Sequence, residues 1–143
     1  MKTNLTLTLI VLFFVCSCKQ KIALKSIDNL HGPYADTFNV GCSFYESGKD
    51  KVLIFASDFD STAYVSTNGS AVEFRLVKNT SIELDDSTAN FIDEYKSGDY
   101  YLKVQMNMKN DHPTDEAYYE GTIIVTDKQG KKISKKVAGE CGC

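Results

Sequence analysis

From residue 38 onward, apolar and polar residues alternate with a period of two, which puts every second side chain on one face of a strand. Phe38, Val40, Cys42 and Phe44 interleave with Asn39, Gly41, Ser43 and Tyr45. The compact run Val52-Leu53-Ile54-Phe55-Ala56 does not alternate and predicts a strand buried on both faces. Asn68-Gly69 separates two strand-like stretches, residues 64–67 and 70–76, and tolerates the positive φ that a tight hairpin turn requires. Val72, Phe74 and Leu76 share one face of the second stretch, and Ile82 with Leu84 predicts a further short strand. Residues 87–97 fit two readings. One is a helix capped by Ser87 or Thr88, with Phe91, Ile92 and Tyr95 on its face and Gly98 at its end; the other is a loop with a short strand. Beyond it Tyr100, Leu102, Val104, Met106 and Met108 alternate with Tyr101, Lys103, Gln105 and Asn107. Residues 118–126 form a strand around Ile123-Ile124-Val125, Asp127-Lys128-Gln129-Gly130 turns, and residues 133–138 return as the closing strand.

Seven or eight evenly spaced strands with at most one short helix predict an all-β fold, an antiparallel sandwich or small barrel. No repeat of 20–50 residues is visible, which excludes a propeller or solenoid. The closing strand carries Lys131, Lys132, Lys135 and Lys136. Lysines there commonly protect a sheet edge from pairing with a neighbour. The sharper reading is a basic surface for an anionic partner such as a glycan or lipid headgroup.

The N-terminus has a different pattern. Met1-Lys2 precedes the uncharged run Leu5–Val15, too short to span a bilayer as a helix but of the length of a secretory leader's apolar core. Val15-Cys16-Ser17-Cys18 follows, and residues 1–18 resemble the lipobox leader of bacterial lipoproteins, with Cys16 where Ala, Ser or Thr is more usual. The resemblance implies cleavage before Cys18, lipidation of Cys18 by diacylglycerol and an acyl chain, and, since residue 19 is Lys rather than Asp, delivery to the outer membrane. An ordinary secretory leader with Cys18 paired elsewhere is the alternative. The chain then divides into a leader (1–17), a tether (18–33) with one short edge strand at most, and a single β domain (34–143).

Five cysteines become three once Cys16 is removed and Cys18 acylated, and an oxidising compartment favours pairing among them. The expected bridge joins Cys42 to Cys141, with Cys143 as the alternative partner. Two competing readings use the C-terminal Cys141-Gly142-Cys143: closure on itself as a redox pair, or a soft-metal site with Cys42.

Composition then narrows function. A net charge of −3, with 16 basic and 19 acidic residues, does not point to nucleic acid. The two histidines, His31 and His112, have no evident catalytic partner, and neither a nucleophile elbow nor a zinc-protease or phosphate-loop pattern occurs. Asp58-Phe59-Asp60 begins like a calcium loop, but Ala63 and Gly69 stand where glycine and glutamate are needed. Asp85-Asp86 and Asp93-Glu94 read as solvated acids. These residues predict neither an enzyme nor a cofactor. In Tyr100-Tyr101 and Tyr118-Tyr119 one ring of each pair faces outward, and Tyr101 with Tyr119 is the candidate binding patch; cross-strand stabilising pairs are the alternative. The expectation is an outer-membrane lipid-anchored binding module, in one variant a periplasmic inhibitor or immunity protein, with a protein or envelope glycan as partner. Small lipoprotein lysozyme inhibitors are similar in general plan, though none of their motifs occurs here. A structural or assembly accessory of the outer membrane, or a thiol-dependent redox or metal protein, are the alternatives.

Overall fold

The computed structural model describes residues 23–34, 41–49, 52–58, 61–85, 88–109 and 117–142. The leader with Cys18, Phe38, Val40, Asp60, Asp86, His112 and Cys143 lie outside the described residues. The fold is all-β, with strands β1 (Ile27–Asp28), β2 (Gly41–Glu46), β3 (Leu53–Asp58), β4 (Thr62–Thr67), β5 (Ser70–Asp85), β6 (Thr88–Ser97), β7 (Tyr100–Lys109), β8 (Ala117–Asp127) and β9 (Lys132–Gly142). Strands β2 to β9 form an antiparallel barrel in the order β4-β3-β2-β9-β8-β7-β6-β5, closed by pairing of β5 back to β4. β1 is the extra strand, paired with the end of β4. Of the two architectures open to the sequence, sandwich and barrel, the barrel forms.

Alternation explains the filling. Leu102, Val104 and Met106 of β7, Ile123 and Val125 of β8, and Phe44, Phe74 and Val65 from the other strands are fully buried in one core cluster. The apolar run of β3 is buried on both faces, as its lack of alternation requires. Phe44 pairs with Phe55 and Tyr45 with Leu53, so Ile54 is an extra residue and both Ile54 and Phe55 enter the lumen. Leu53 and Ala56 face outward into a second cluster with Leu30, packed against Tyr34 and Tyr64.

That second cluster exists because residues 23–34 lie on the barrel. Leu24, Ile27 and Leu30, assigned to the tether on sequence, are all buried. Asn68, in the left-handed region at φ 52°, accepts the N–H of Lys25 (2.7 Å) and of Ser26 (3.2 Å) and donates to the Ala23 carbonyl. Asp28 accepts the Gly69 N–H at 2.7 Å. The hairpin turn is therefore also the clamp for the N-terminal segment, and the packed body starts before residue 34.

Three further expectations change. Residues 88–97 form a strand, so the helical reading is overturned: β6 pairs on both sides, with Tyr95 opposite both Leu76 and Leu102. The two stretches 70–76 and 82–85 are one strand, β5, with Val77 as an extra residue between the Leu76–Tyr95 and Lys78–Glu94 pairs. Finally, β9 pairs with β2 and β8, so its lysines do not guard an edge.

Candidate functional site

The turns at 47–52, 68–69, 98–99 and 128–131 all lie at one end of the barrel, as antiparallel connection dictates. On the outer wall at that end is a groove of about 540 Å³. Tyr101 lies in it, 50% exposed. Lys96 from β6, Lys103 from β7 and Lys132 from β9 surround the ring, and the Lys96 ammonium sits 5.9 Å from its centroid. Each is outward by alternation, because Tyr95, Leu102 and Ile133 beside them face the core.

Two acids at the groove are committed. Asp99 pairs with Lys128 at 2.6 Å. Asp127 is buried, and its carboxylate accepts the N–H of Gln129 (3.0 Å), Lys131 (2.9 Å) and Leu24 (3.3 Å). It therefore shapes the β8–β9 turn and ties the N-terminal segment to it. Among the described residues Lys25, Lys96, Lys131 and Lys132 form no ion pair, so positive charge is left available beside an exposed ring. The arrangement suits an anionic ligand: lysines supply mobile point charges, and the tyrosine supplies an apolar contact with a polar tip.

The structure separates the two tyrosines of the expected patch. Tyr119 lies on the same parity as Ile123 and Val125, packs against the core and meets Phe91 edge-on at 5.2 Å. Burial raises its phenol above the ordinary value. Tyr101 is opposite Thr126 and Tyr119 opposite Met108, about 23 Å apart along the strand. Tyr101 and Tyr119 therefore form no common patch, and Tyr119 meets Phe91 of β6 across β7 rather than a tyrosine on a neighbouring strand. What Tyr101 joins instead is Lys132 of the closing strand. Lys96, Lys103 and Lys128 complete the groove without a sequence signal of their own, although the outward register of Lys103 beside Tyr101 follows from alternation.

Other candidates resolve structurally. Cys42 and Cys141 form a disulfide, which withdraws Cys141 from both the redox pair and the three-thiolate site. Among the described residues no group of three His, Cys, Asp or Glu side chains is placed to hold a metal ion. Asp58 accepts the N–H of Ser61 and of Thr62, each at 2.7 Å, and so closes the β3–β4 turn. Asp93 is a partly buried acid rather than a fully solvated one. Burial raises its carboxyl above the usual value, although the Asn79 amide and the Tyr95 hydroxyl both donate to it. Tyr95 in turn is pushed strongly upward, by burial first and by Asp93 second. This cluster lies on the lumen side of β6, on the opposite face of the stretch that carries Glu94 and Lys96 into the groove.

The chain matches no protein-family model, no curated protein and no solved structure. Function has to be argued from the barrel.

Proposed function

We propose that the chain is an outer-membrane lipid-anchored envelope protein that acts as a binding module, and that it binds through its outer wall. The carrying observation is the groove at Tyr101, where lysines from three strands and a half-exposed ring converge. The lumen supports the same reading by exclusion, because Phe44, Phe55, Phe74, Leu102 and Met106 occupy it with no exposure beyond 1%. A barrel filled by side chains offers its surface rather than its interior. The test is a photoreactive residue placed at position 101 in the native cell, with position 118 as comparison. An adduct specific to 101, identified by mass spectrometry, is expected; equal labelling at both positions would remove the groove from consideration.

A second reading, a protein-binding inhibitor, immunity or assembly factor, is favoured by β5. Beyond Leu76 this strand pairs with β6 alone among the described residues, and Val77 and Ile82 are 53% and 47% exposed there. Such a stretch can accept a partner's strand or apolar side chains. Val77→Lys with Ile82→Lys would abolish crosslinks to protein on this reading and leave them intact on the first.

A further inference from the structure

The groove and the start of the described chain are held by one carboxylate. Asp127 accepts the Leu24 N–H at 3.3 Å and the Lys131 N–H at 2.9 Å, so Leu24 lies beside the turn that carries Lys128, Lys131 and Lys132. β1 runs antiparallel to β4, with Ile27 opposite Thr67 and Asp28 opposite Ser66. Ala23 therefore lies at the end that carries the turns at 47–52, 68–69, 98–99 and 128–131. It follows Cys18 by five residues, and five residues reach at most about 18 Å when fully extended.

Charge is arranged accordingly. Lys25, Lys49, Lys96, Lys128, Lys131 and Lys132 all belong to this end. Of the acids there, Glu46 is taken by Lys49 and Lys135 at 3.0 and 3.1 Å, and Asp99 by Lys128. Asp28 and Asp127 accept backbone N–H groups and Glu73 pairs with Arg75, which among the described residues leaves Glu94 beside Lys96 and Lys103 in the groove. Asp58, Glu83, Asp85 and Glu140 stand at strand positions toward the opposite end. A chain of net charge −3 thus gathers lysines next to its N-terminal segment and keeps a group of acids away from it.

We infer that this end is a docking face for the phosphate-bearing anionic headgroups of the bilayer to which Cys18 ties the protein, with Tyr101 at the headgroup level and Lys96, Lys131 and Lys132 against the phosphates. The inference rests on the anchored reading proposed above. Short tethering forces this end toward the lipid, and juxtamembrane lysines gain there from an anionic surface. Tyrosine suits that depth because its ring is apolar and its hydroxyl wet. The ligand class is therefore a lipid surface, and the Val77–Asp85 stretch of β5 at the other end is turned toward the periplasm or the exterior.

The chain has no tryptophan, so Tyr101→Trp introduces a single reporter. The purified lipidated variant is reconstituted in phosphatidylcholine vesicles with or without phosphatidylglycerol, and its indole emission is followed with shallow spin-labelled lipids as quenchers. Tyr118→Trp, at the far end of β8, is the control. On anionic vesicles the indole at position 101 should shift to shorter wavelength and be quenched, while that at position 118 stays unquenched. High salt should reverse the effect, and each of Lys96→Gln, Lys131→Gln and Lys132→Gln should weaken it roughly fivefold. Protein that floats with the vesicles while the two reporters are equally unquenched overturns the docking face and leaves the anchor standing. Protein that does not float overturns the anchor itself. Protection of the position-101 indole from iodide that rises with protein concentration at fixed detergent, without a bilayer, would assign the face to a second copy and overturn the lipid.

Discussion

Cys42 and Cys141 stand directly opposite each other where β2 meets β9, their Cα atoms 4.1 Å apart and their sulfurs bonded. The bridge spans 99 residues of sequence and fastens the junction that brings the C-terminal strand back to the first long strand of the body. In the chain-entropy description a loop of this length contributes at most about 4.7 kcal/mol. Cys42→Ser should therefore lower the midpoint of thermal unfolding by roughly 3–5 °C for each kcal/mol lost. Thiol titration of the lipidated mature chain should find one reactive thiol in the parent, Cys143, and two in the variant. An unchanged melting curve would show that the β2–β9 ladder alone holds the junction.

The N-terminal clamp makes a separable prediction. Leu24 is fully buried, so Leu24→Ala should cost about 2–4 kcal/mol. Asn68→Ala removes the acceptor for two N–H groups and puts alanine at positive φ, costing about 1–2 kcal/mol. Both should make residues 23–30 accessible to limited proteolysis before the barrel unfolds. Cleavage in step with global unfolding would mean that the segment and barrel are one cooperative unit.

Close strand approach at Gly139 gives the sharpest stability test. A Cβ there would fall onto the Ser43 carbonyl oxygen and against Phe44 Cα, both backbone atoms of the paired strand. Gly139→Ala should destabilise by about 2 kcal/mol or more in chemical denaturation. Gly130→Ala at the exposed turn meets no neighbouring atom and should cost only its positive-φ strain, about 1 kcal/mol.

Acid should weaken the fold partly through Glu46. Hydrogen bonds from Lys49 and Lys135 hold its carboxyl below the ordinary 4.5. A depressed folded-state value stabilises above the unfolded value and is lost as pH falls through the folded one. Glu46→Gln should thus lose less stability than the parent between neutral pH and about pH 3. Asp93 works the other way. Its raised carboxyl favours the native state when protonated, so Asp93→Asn should steepen the loss on acidification. Equal pH profiles for parent and Glu46→Gln would show that the two lysines do not stabilise the carboxylate.

Much of the barrel is legible in the chain itself. The alternation of residues 100–108 assigns the faces of β7, Asn68-Gly69 places its turn, and the unbroken run in β3 announces two-sided burial. The misreadings have local causes. Phe91, Ile92 and Tyr95 satisfy a helical spacing as well as a strand's, and only their neighbours on β5 and β7 decide between them. Val77 adds one residue to β5 and shifts its parity, so the polar stretch 78–81 looks like a break. Tyr119 is hard to assign to a face because Ile123-Ile124-Val125 gives no alternation from which to count back. Leu24, Ile27 and Leu30 recur every three residues because they enter two different clusters, a spacing that matches no regular element. Of the site, Tyr101 and Lys132 are each readable from sequence; that they share a groove depends on the strand order β9-β8-β7.

The clamp on residues 23–30 also sets an order of events. Its partners are Asn68 and Asp127, which lie 43 and 103 residues downstream of the groups they bind. A ribosome delivers the N-terminus first, so Lys25 and Ser26 have no partner until residue 68 exists, and Leu24 none for its N–H until residue 127 exists. The seat of the first part made is thus completed only late in the chain, and any strain on the leading end during biogenesis falls on a segment fastened at one point before the other.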